Sequence, residues 1–229
     1  MPRVEVMDII TDLLLSGLAF WLAFGLLHVA RYLREYAIRY WCAAFCAIGG
    51  CALLAGIWHG FSPTMEARTA ALIWTSSMAL AVAASFLFLI ATLHLFAGGR
   101  VLGWLAGGAV IKFALFAVWA TVNDDVRLVI YDSGLTMLVM LLMASWGAWL
   151  QRAPAAPWIL AGVTTAMMAA LFQQGRVSIH RHFNHNDLYH VIQMGALYCL
   201  YRAGPLLRDR DTTVPDFEAT QSLPIVGEE

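Results

Sequence analysis

Charged residues are scarce in this sequence. Asp, Glu, Lys and Arg together make up 13% of its 229 residues, whereas 61% are hydrophobic. The mean hydropathy of +0.70 excludes a water-soluble domain with a polar shell and predicts an integral membrane protein. The net charge is only -1 and no run of Lys and Arg is longer than two residues, which excludes a nucleic-acid-binding protein.

Cysteine is also rare, and its positions do not indicate a disulfide framework. Cys42, Cys46 and Cys51 share one apolar segment and Cys199 lies in another, so we expect inert, buried thiols. No internal repeat of fixed period is present, which argues against a transporter built from duplicated halves. Acidic residues precede the first apolar stretch, so we expect a retained helix rather than a cleaved signal peptide.

Seven stretches are apolar over nearly the length that crosses a bilayer, which is about 20 residues. Their short connections predict an all-α fold, an integral membrane bundle of seven transmembrane helices in one domain over residues 1–204. The remaining residues, 205–229, carry prolines among polar side chains, and we expect a disordered cytoplasmic tail. The seven predicted helices are 7–30, 40–61, 69–97, 101–122, 127–150, 155–172 and 187–201.

Arginines that flank these helices predict the orientation, because positive charge collects on the cytoplasmic side. The side of the bundle with more flanking arginines is therefore predicted to be cytoplasmic. This places the N-terminus outside and the C-terminus inside a bacterial-type inner (plasma) membrane. The richer side holds Arg31, Arg34, Arg39, Arg100, Arg152, Arg202, Arg208 and Arg210, and the poorer side holds Arg3, Arg68, Arg127, Arg176 and Arg181.

Several ionisable side chains fall within the predicted outer leaflet, where each is costly and therefore suggests a functional site. In the seventh helix, Asn186, His190 and Gln193 follow at i, i+4 and i+7 and share one face, with Asp187 beside them. Alternating helix direction brings the end of the second helix to the same depth. The layer contains His59, Ser62, Glu66, Asp132, His185, Asp187 and His190.

Two interpretations of this layer remain open. The first is a metal site, because neutral imidazoles suit zinc and a carboxylate can orient an imidazole or a metal-bound water. The second is structural: the histidines lie at the membrane interface, Asn184 caps the seventh helix, and Asp187 lies favourably near the helix dipole.

Other polar residues lie outside this layer. Lys112 falls near the middle of the fourth helix, where it snorkels, pairs with a carboxylate such as Asp132, or binds a substrate headgroup in a cavity. His28 and His94 form a pair in the inner leaflet, within reach of headgroups or water. We expect His180 and His182, in the loop before the seventh helix, to be solvated.

Four short segments resemble a known group of membrane proteins. Segments 58–61, 72–74, 188–190 and 196–202 read WHGF, LIW, LYH and ALYCLYR. With the seven-helix pattern, they resemble the alkaline ceramidase, progestin and adiponectin receptor and hemolysin III superfamily. That resemblance implies zinc held by a histidine of the second helix and an H-x-x-x-H pair of the seventh. In that superfamily, a serine before the first histidine and an aspartate on the third helix help to hold the zinc.

The sequence departs from that pattern at three positions. Asn186 stands where the first histidine of the seventh-helix pair is expected, with His185 one residue earlier. Ala55 stands in place of the serine, and Arg68 or Ala70 stands near the place of the aspartate.

The leading hypothesis is a zinc-dependent intramembrane hydrolase that acts on an amide or ester of a membrane lipid, with ceramide as the substrate that the resemblance implies. Zinc-bound water would be the attacking group. The residues assigned are His59, His185 and His190 as zinc ligands, Asp187 or Glu66 as base, Asn186, Gln193 and Asp132 as supporting polar groups, and Lys112 for substrate binding.

Two rival hypotheses come from other classes of protein. One is a non-enzymatic receptor or ligand-binding module with a polar pocket in the outer leaflet. The other is a haem protein with two axial histidines, supplied by His59 with His190 or by His28 with His94. Neither the substrate nor the oligomeric state follows from the sequence.

Overall fold

The computed structural model describes residues 6–122, 125–180 and 183–210. Apart from turns and one isolated bridge between His180 and Phe183, the regular structure of these residues is helical, which confirms the all-α prediction. The fifth helix in chain order continues as a π-helix over Gly147–Gln151. The helices are α1 (Val6–Leu33), α2 (Tyr36–Phe61), α3 (Ala67–Phe96), α4 (Gly99–Val122), α5 (Arg127–Trp146), α6 (Ala156–Gln174) and α7 (His185–Ala203).

In the part of the chain that the structure describes, six of the seven helices are long and apolar enough to cross a membrane, which is compatible with a multi-pass membrane protein. The α7 helix is not among them, because its first half carries His185, Asn186, Asp187, His190 and Gln193. The prediction of several membrane-spanning helices therefore stands, and the seventh span stays a prediction. The six segments are Val6–Leu33, Tyr36–Thr64, Ala67–Phe96, Gly99–Ala120, Arg127–Gln151 and Ala156–Gln174.

The helices form a ring with one helix outside it. The α2 helix packs between α1 and α3, α3 also contacts α5, α5 contacts α6, α6 packs along α7, and α7 returns to α1. The α4 helix packs on α3 and α5 and is largely exposed on its other faces. We name the end of the bundle where α1, α3, α5 and α7 begin the histidine end, because His59 and His190 lie there.

Large aromatic side chains fill the middle of the ring. Trp41, Phe45 and Phe96 are fully buried, and the ring of Phe88 lies edge-on to that of Trp41 at a centroid distance of 4.7 Å. The indole nitrogen of Trp41 donates to the carbonyl of Leu200 at 2.9 Å, so its polar atom is satisfied within the core. The four cysteines are free as predicted, but only Cys42 is buried: Cys51 and Cys199 are partly exposed and Cys46 is exposed.

The first six residues of the predicted tail, 205–210, lie against the helices. Asp209 is buried, and its carboxylate oxygens accept from the backbone N–H groups of Tyr36 and Ala37 at 2.7 and 2.8 Å. A helix N-terminus has unpaired N–H groups that a carboxylate satisfies well, so residues 205–210 pack onto the start of α2. Residues 211–229, the rest of the predicted tail, lie outside the described residues.

Candidate functional site

The carboxylate of Asp12, on α1, lies between two histidines from other helices. Its Oδ2 is 2.8 Å from His59 Nδ1 on α2, and its Oδ1 is 3.4 Å from His190 Nε2 on α7. Asp12 is 2% exposed, whereas the His59 side chain is 23% exposed. Gly56 permits this approach, because a Cβ there would lie 3.1 Å from the Cβ of Asp12. One buried carboxylate therefore joins α1, α2 and α7.

Thr11 makes a second connection between α1 and α7. Its hydroxyl oxygen lies 3.2 Å from Asp187 Oδ1 and 3.1 Å from His190 Nδ1, and it also contacts the carbonyls of Met7 and Asp8. Thr11, Asp187 and His190 are all buried. Both ring nitrogens of His190 thus face partners on α1: Nδ1 faces Thr11 and Nε2 faces Asp12.

The start of α7 is held by a capping box. The Asn184 side chain accepts from the backbone N–H groups of Asn186 and Asp187, and the Asp187 carboxylate accepts from the backbone N–H of Asn184 at 2.8 Å. The amide of Asn184 also donates to Asp8 on α1 at 2.9 Å. The predicted cap is confirmed, and the same residues also attach α7 to α1, so the structural interpretation of Asp187 and its place beside His190 are both correct.

The proton positions in this cluster are coupled through Thr11. Thr11 has one hydroxyl hydrogen, so it cannot donate to both Asp187 Oδ1 and His190 Nδ1. When Thr11 donates to Asp187, its oxygen accepts the Nδ1–H of His190, which a neutral imidazole supplies. Asp8, Asp12 and Asp187 are all buried, so each carboxylate depends on the hydrogen-bond donors around it.

Four other predicted site residues take no part in these contacts. Glu66 is exposed at the start of α3 and makes no side-chain hydrogen bond that caps this helix. The turn Ser62–Thr64 separates it from His59 at the end of α2. His185 is the first residue of α7 and forms no hydrogen bond or ion pair with His59 or His190. Asn186 instead accepts from the side chain of Gln173 on α6 at 3.1 Å. Gln193, one turn beyond His190, is half-buried.

Asp132 and Lys112 belong to a different cluster. Lys112 Nζ lies 2.5 Å from Asp132 Oδ1, so of the three alternatives for Lys112 the structure shows pairing with a carboxylate. The pair connects α4 to α5, and Lys112 also donates to Ser85 of α3. The Asp12 cluster, which we define as Thr11, Asp12, His59, Asp187 and His190, is built from α1, α2 and α7. Neither residue therefore supports or lines the histidine site.

The predicted zinc set does not fit this arrangement. Zinc holds imidazole nitrogens about 2 Å away around one point, but only two of the three predicted histidines meet, and both face Asp12. Across residues 6–122, 125–180 and 183–210, no group of three or more His, Cys, Asp or Glu side chains is placed to hold a metal ion.

The described geometry also lends no support to haem binding. The ring nitrogens of His59 and His190 face a shared carboxylate, not opposite sides of a planar cofactor. The ring of His94 lies against those of Tyr36 and Tyr40, at centroid distances of 5.5 and 5.6 Å, and His28 is exposed. His180 is exposed, as predicted, and His182 lies outside the described residues.

Residues 7–209 match DUF6962, which is described as a family of unknown function. The chain belongs to this family. Comparison with curated proteins and with solved structures gives no match. The region shared with DUF6962 contains the whole Asp12 cluster and ends at Asp209, the residue that caps α2. The resemblance to the ceramidase and receptor superfamily stays a prediction.

Sequence reasoning missed the contribution of α1 to the site. By themselves, the acidic residues Asp8 and Asp12 predict no more than a retained first helix, and Thr11 alone does not indicate a site. A signal was present, because Asp8 and Asp12 are four residues apart and so share one face of a helix that is otherwise apolar. Carboxylates on one face of a membrane helix indicate a buried polar partner.

Proposed function

We propose that this protein is a multi-pass membrane enzyme that hydrolyses an amide or ester bond of a lipid, with His59 as general base and Asp12 as the residue that orients it. The observation that carries the proposal is the 2.8 Å contact between Nδ1 of His59 and the buried carboxylate of Asp12. The imidazole of His59 is itself partly exposed. A histidine oriented by a carboxylate is the arrangement that hydrolases of several folds use to activate a nucleophile.

The proposed reaction uses water as the nucleophile. With Asp12 accepting from Nδ1–H of His59, the lone pair of Nε2 takes a proton from water as the water oxygen attacks the carbonyl carbon. The imidazolium then returns that proton to the leaving nitrogen or oxygen as its bond to carbon breaks, which leaves a free acid and an amine or alcohol. His190 and Thr11 hold the other oxygen of Asp12 and the start of α7 in position.

The surroundings of His59 suit a lipid substrate. The indole rings of Trp58 and Trp74 lie 4.7 Å apart and form an aromatic surface beside the imidazole. We place α7 as a seventh span, with the histidine end at the outer leaflet of an inner membrane and the N-terminus outside. A carbonyl near the headgroup then lies at the depth of His59 while the acyl chain remains in hydrocarbon.

The test is hydrolysis by purified protein in lipid nanodiscs, with a panel of N-acyl sphingoid bases and glycerol esters as substrates. We expect His59→Gln and Asp12→Asn to lower turnover by about 10²–10⁴-fold, the range for loss of general acid–base catalysis. His28→Gln, on the exposed side of α1, is the matched control and should retain activity. A panel without turnover, or His59→Gln with the activity of the parent protein, contradicts the proposal.

Elemental analysis of the same preparations tests the zinc hypothesis separately. Stoichiometric zinc that disappears in His190→Ala would restore the zinc-dependent mechanism and assign a ligand role to His190. Metal-free protein that still hydrolyses a substrate would support the mechanism through His59 and Asp12.

A second candidate function is a lipid-binding module without turnover. The observation that favours it is Asn186, which stands at an expected zinc-ligand position and is engaged by Gln173. Saturable binding of a lipid that His59→Gln abolishes, with no product over the whole panel, would favour this function over hydrolysis.

A further inference from the structure

A second buried polar cluster lies between α3, α4 and α5, away from the histidines. The ammonium of Lys112 donates to Asp132 Oδ1 at 2.5 Å, to Thr136 Oγ1 at 2.8 Å and to Ser85 Oγ at 3.2 Å. The hydroxyls of Ser85 and Thr136 are 2.7 Å apart. Oxygens from two helices thus converge on one positive charge that a third helix supplies.

The carboxylate of Asp132 is incompletely satisfied. Asp132 is 0% exposed, and its Oδ2 has no hydrogen-bond partner, whereas its Oδ1 pairs with Lys112. It is the one buried side-chain nitrogen or oxygen without a partner among the residues that the structure describes. A carboxylate oxygen in a low-dielectric interior is costly unless it binds a donor or a cation, so Oδ2 has an unused capacity to bind one.

We propose that Asp132, Ser85 and Thr136 form a site for a monovalent cation such as Na⁺ or K⁺, which competes with the protonated side chain of Lys112. Hard cations take oxygen ligands, and the site offers two carboxylate oxygens and two hydroxyl oxygens. Lys112 Nζ occupies the point on which Oδ1 and the two hydroxyls converge, and Oδ2 supplies a further ligand that Lys112 does not use.

Binding of one cation must be matched by the loss of one proton if the buried cluster is to stay neutral. Lys112 loses one proton to water and becomes a neutral amine, and one cation then binds to Asp132. The buried cluster carries no net charge before and after, so the exchange avoids leaving an isolated charge in the hydrocarbon layer. Lys112 is 11% exposed and its ammonium lies 5.6 Å from the ring centroid of Phe116, so the amine can withdraw along α4.

Within the described structure, no other ionisable group takes part in this pairing. On α3, His94 packs against Tyr36 and Tyr40, and Arg68 is exposed at the start of the helix. On α5, Arg127 pairs with Asp125 and Tyr131 is exposed. The exchange therefore depends on the protonation of Lys112 and Asp132 alone.

The test is cation binding by the purified full-length protein in detergent, measured by calorimetry and by proton release to a pH indicator. NaCl and KCl are the probes, and choline chloride controls for ionic strength. We expect one proton released for each cation bound, and an apparent Kd that falls about tenfold for each unit by which pH rises while Lys112 remains mostly protonated.

Four variants separate this site from non-specific binding. Asp132→Asn should abolish binding, Thr136→Val should weaken it, and Lys112→Met should bind the cation near neutral pH without releasing a proton. Asp125→Asn, which removes an exposed carboxylate just before α5, is the matched control and should behave like the parent protein.

Two results would overturn the proposal. One is that neither the parent protein nor Lys112→Met binds Na⁺ or K⁺ at any pH tested, which would make the cluster an ion pair that only anchors α4. The other is binding that Asp132→Asn leaves unchanged. Should Asp132→Asn fail to fold, Thr136→Val, which preserves side-chain shape, decides: unchanged affinity and unchanged proton release would refute the site.

Discussion

At the scale of single residues, Asp12 is the side chain that connects the two imidazoles of the histidine end. Its two oxygens face His59 and His190, so its position determines where both imidazoles lie. The adjacent Thr11 holds Asp187 and the other ring nitrogen of His190. Because all of these groups except His59 are buried, removing one partner leaves the others without the hydrogen bonds that offset their burial.

We therefore predict that Thr11→Val destabilises the protein although it preserves side-chain shape. The change leaves Asp187 Oδ1 and His190 Nδ1 without the hydroxyl, and an unsatisfied buried polar group costs roughly 1–3 kcal/mol. Thermal unfolding in detergent measures the effect. Thr164→Val is the matched control, because Thr164 is exposed and its hydroxyl bonds only to carbonyls of its own helix. Equal unfolding temperatures for the two variants would contradict the prediction.

At the scale of helices, α7 differs from the other six because its first half is polar. The capping box of Asn184 and Asp187 satisfies its first N–H groups, and Thr11 and Asp12 on α1 meet the side chains that follow. The α1 helix consequently supplies the hydrogen-bond partners that offset the cost of burying the polar half of α7. The outer helix α4 is attached in a comparable way through Lys112.

We predict that Asn184→Ala loosens the start of α7 and that Asn184→Ser does so much less. Alanine removes the side-chain acceptor of the cap at a cost of about 1 kcal/mol, whereas serine is also a favoured N-cap residue. Hydrogen exchange of the amides of Asn186 and Asp187 reports the change directly, because both amides donate to Asn184. Equal protection in the alanine and serine variants would show that the cap does not hold this end of α7.

At the scale of the whole molecule, the C-terminal segment indicates how the bundle lies in a membrane. Asp209 caps the start of α2, which is at the opposite end of the bundle from the start of α1. Arg210 donates to the carbonyl of Phe96, at the end of α3, on the same side. Since α1 is long enough to span, residues 6 and 209 lie on opposite sides of any bilayer that α1 crosses.

We accordingly predict that the two termini are on opposite sides of the membrane, with the N-terminus outside. Epitope tags at each terminus, probed with antibody on spheroplasts before and after permeabilisation, measure this. The N-terminal tag should be detected on intact spheroplasts and the C-terminal tag only after permeabilisation. Detection of both tags under the same condition would contradict the prediction, because either α1 would not cross the membrane or residue 209 would not lie beside the start of α2.

The order of apolar and polar residues along the chain is sufficient to predict helices of membrane-spanning length and their approximate limits. Hydropathy is a local property, and the main chain in hydrocarbon satisfies its polar groups within each helix, so these features needed no knowledge of packing. The sequence offers the cap at Asn184 as one of two interpretations and the pairing of Lys112 with Asp132 as one of three, because polar groups in an apolar chain must find partners.

Only the tertiary structure decided which polar groups meet. His59 and His190 come together, but on Asp12 rather than with His185, and Asp132 joins Lys112 instead of the histidines. Spacing along one helix determines which residues share a face, whereas the rotation and neighbours of that helix depend on side-chain packing between helices. A close approach such as that of Gly56 to Asp12 is a property of two helices together, and no single stretch of sequence contains it.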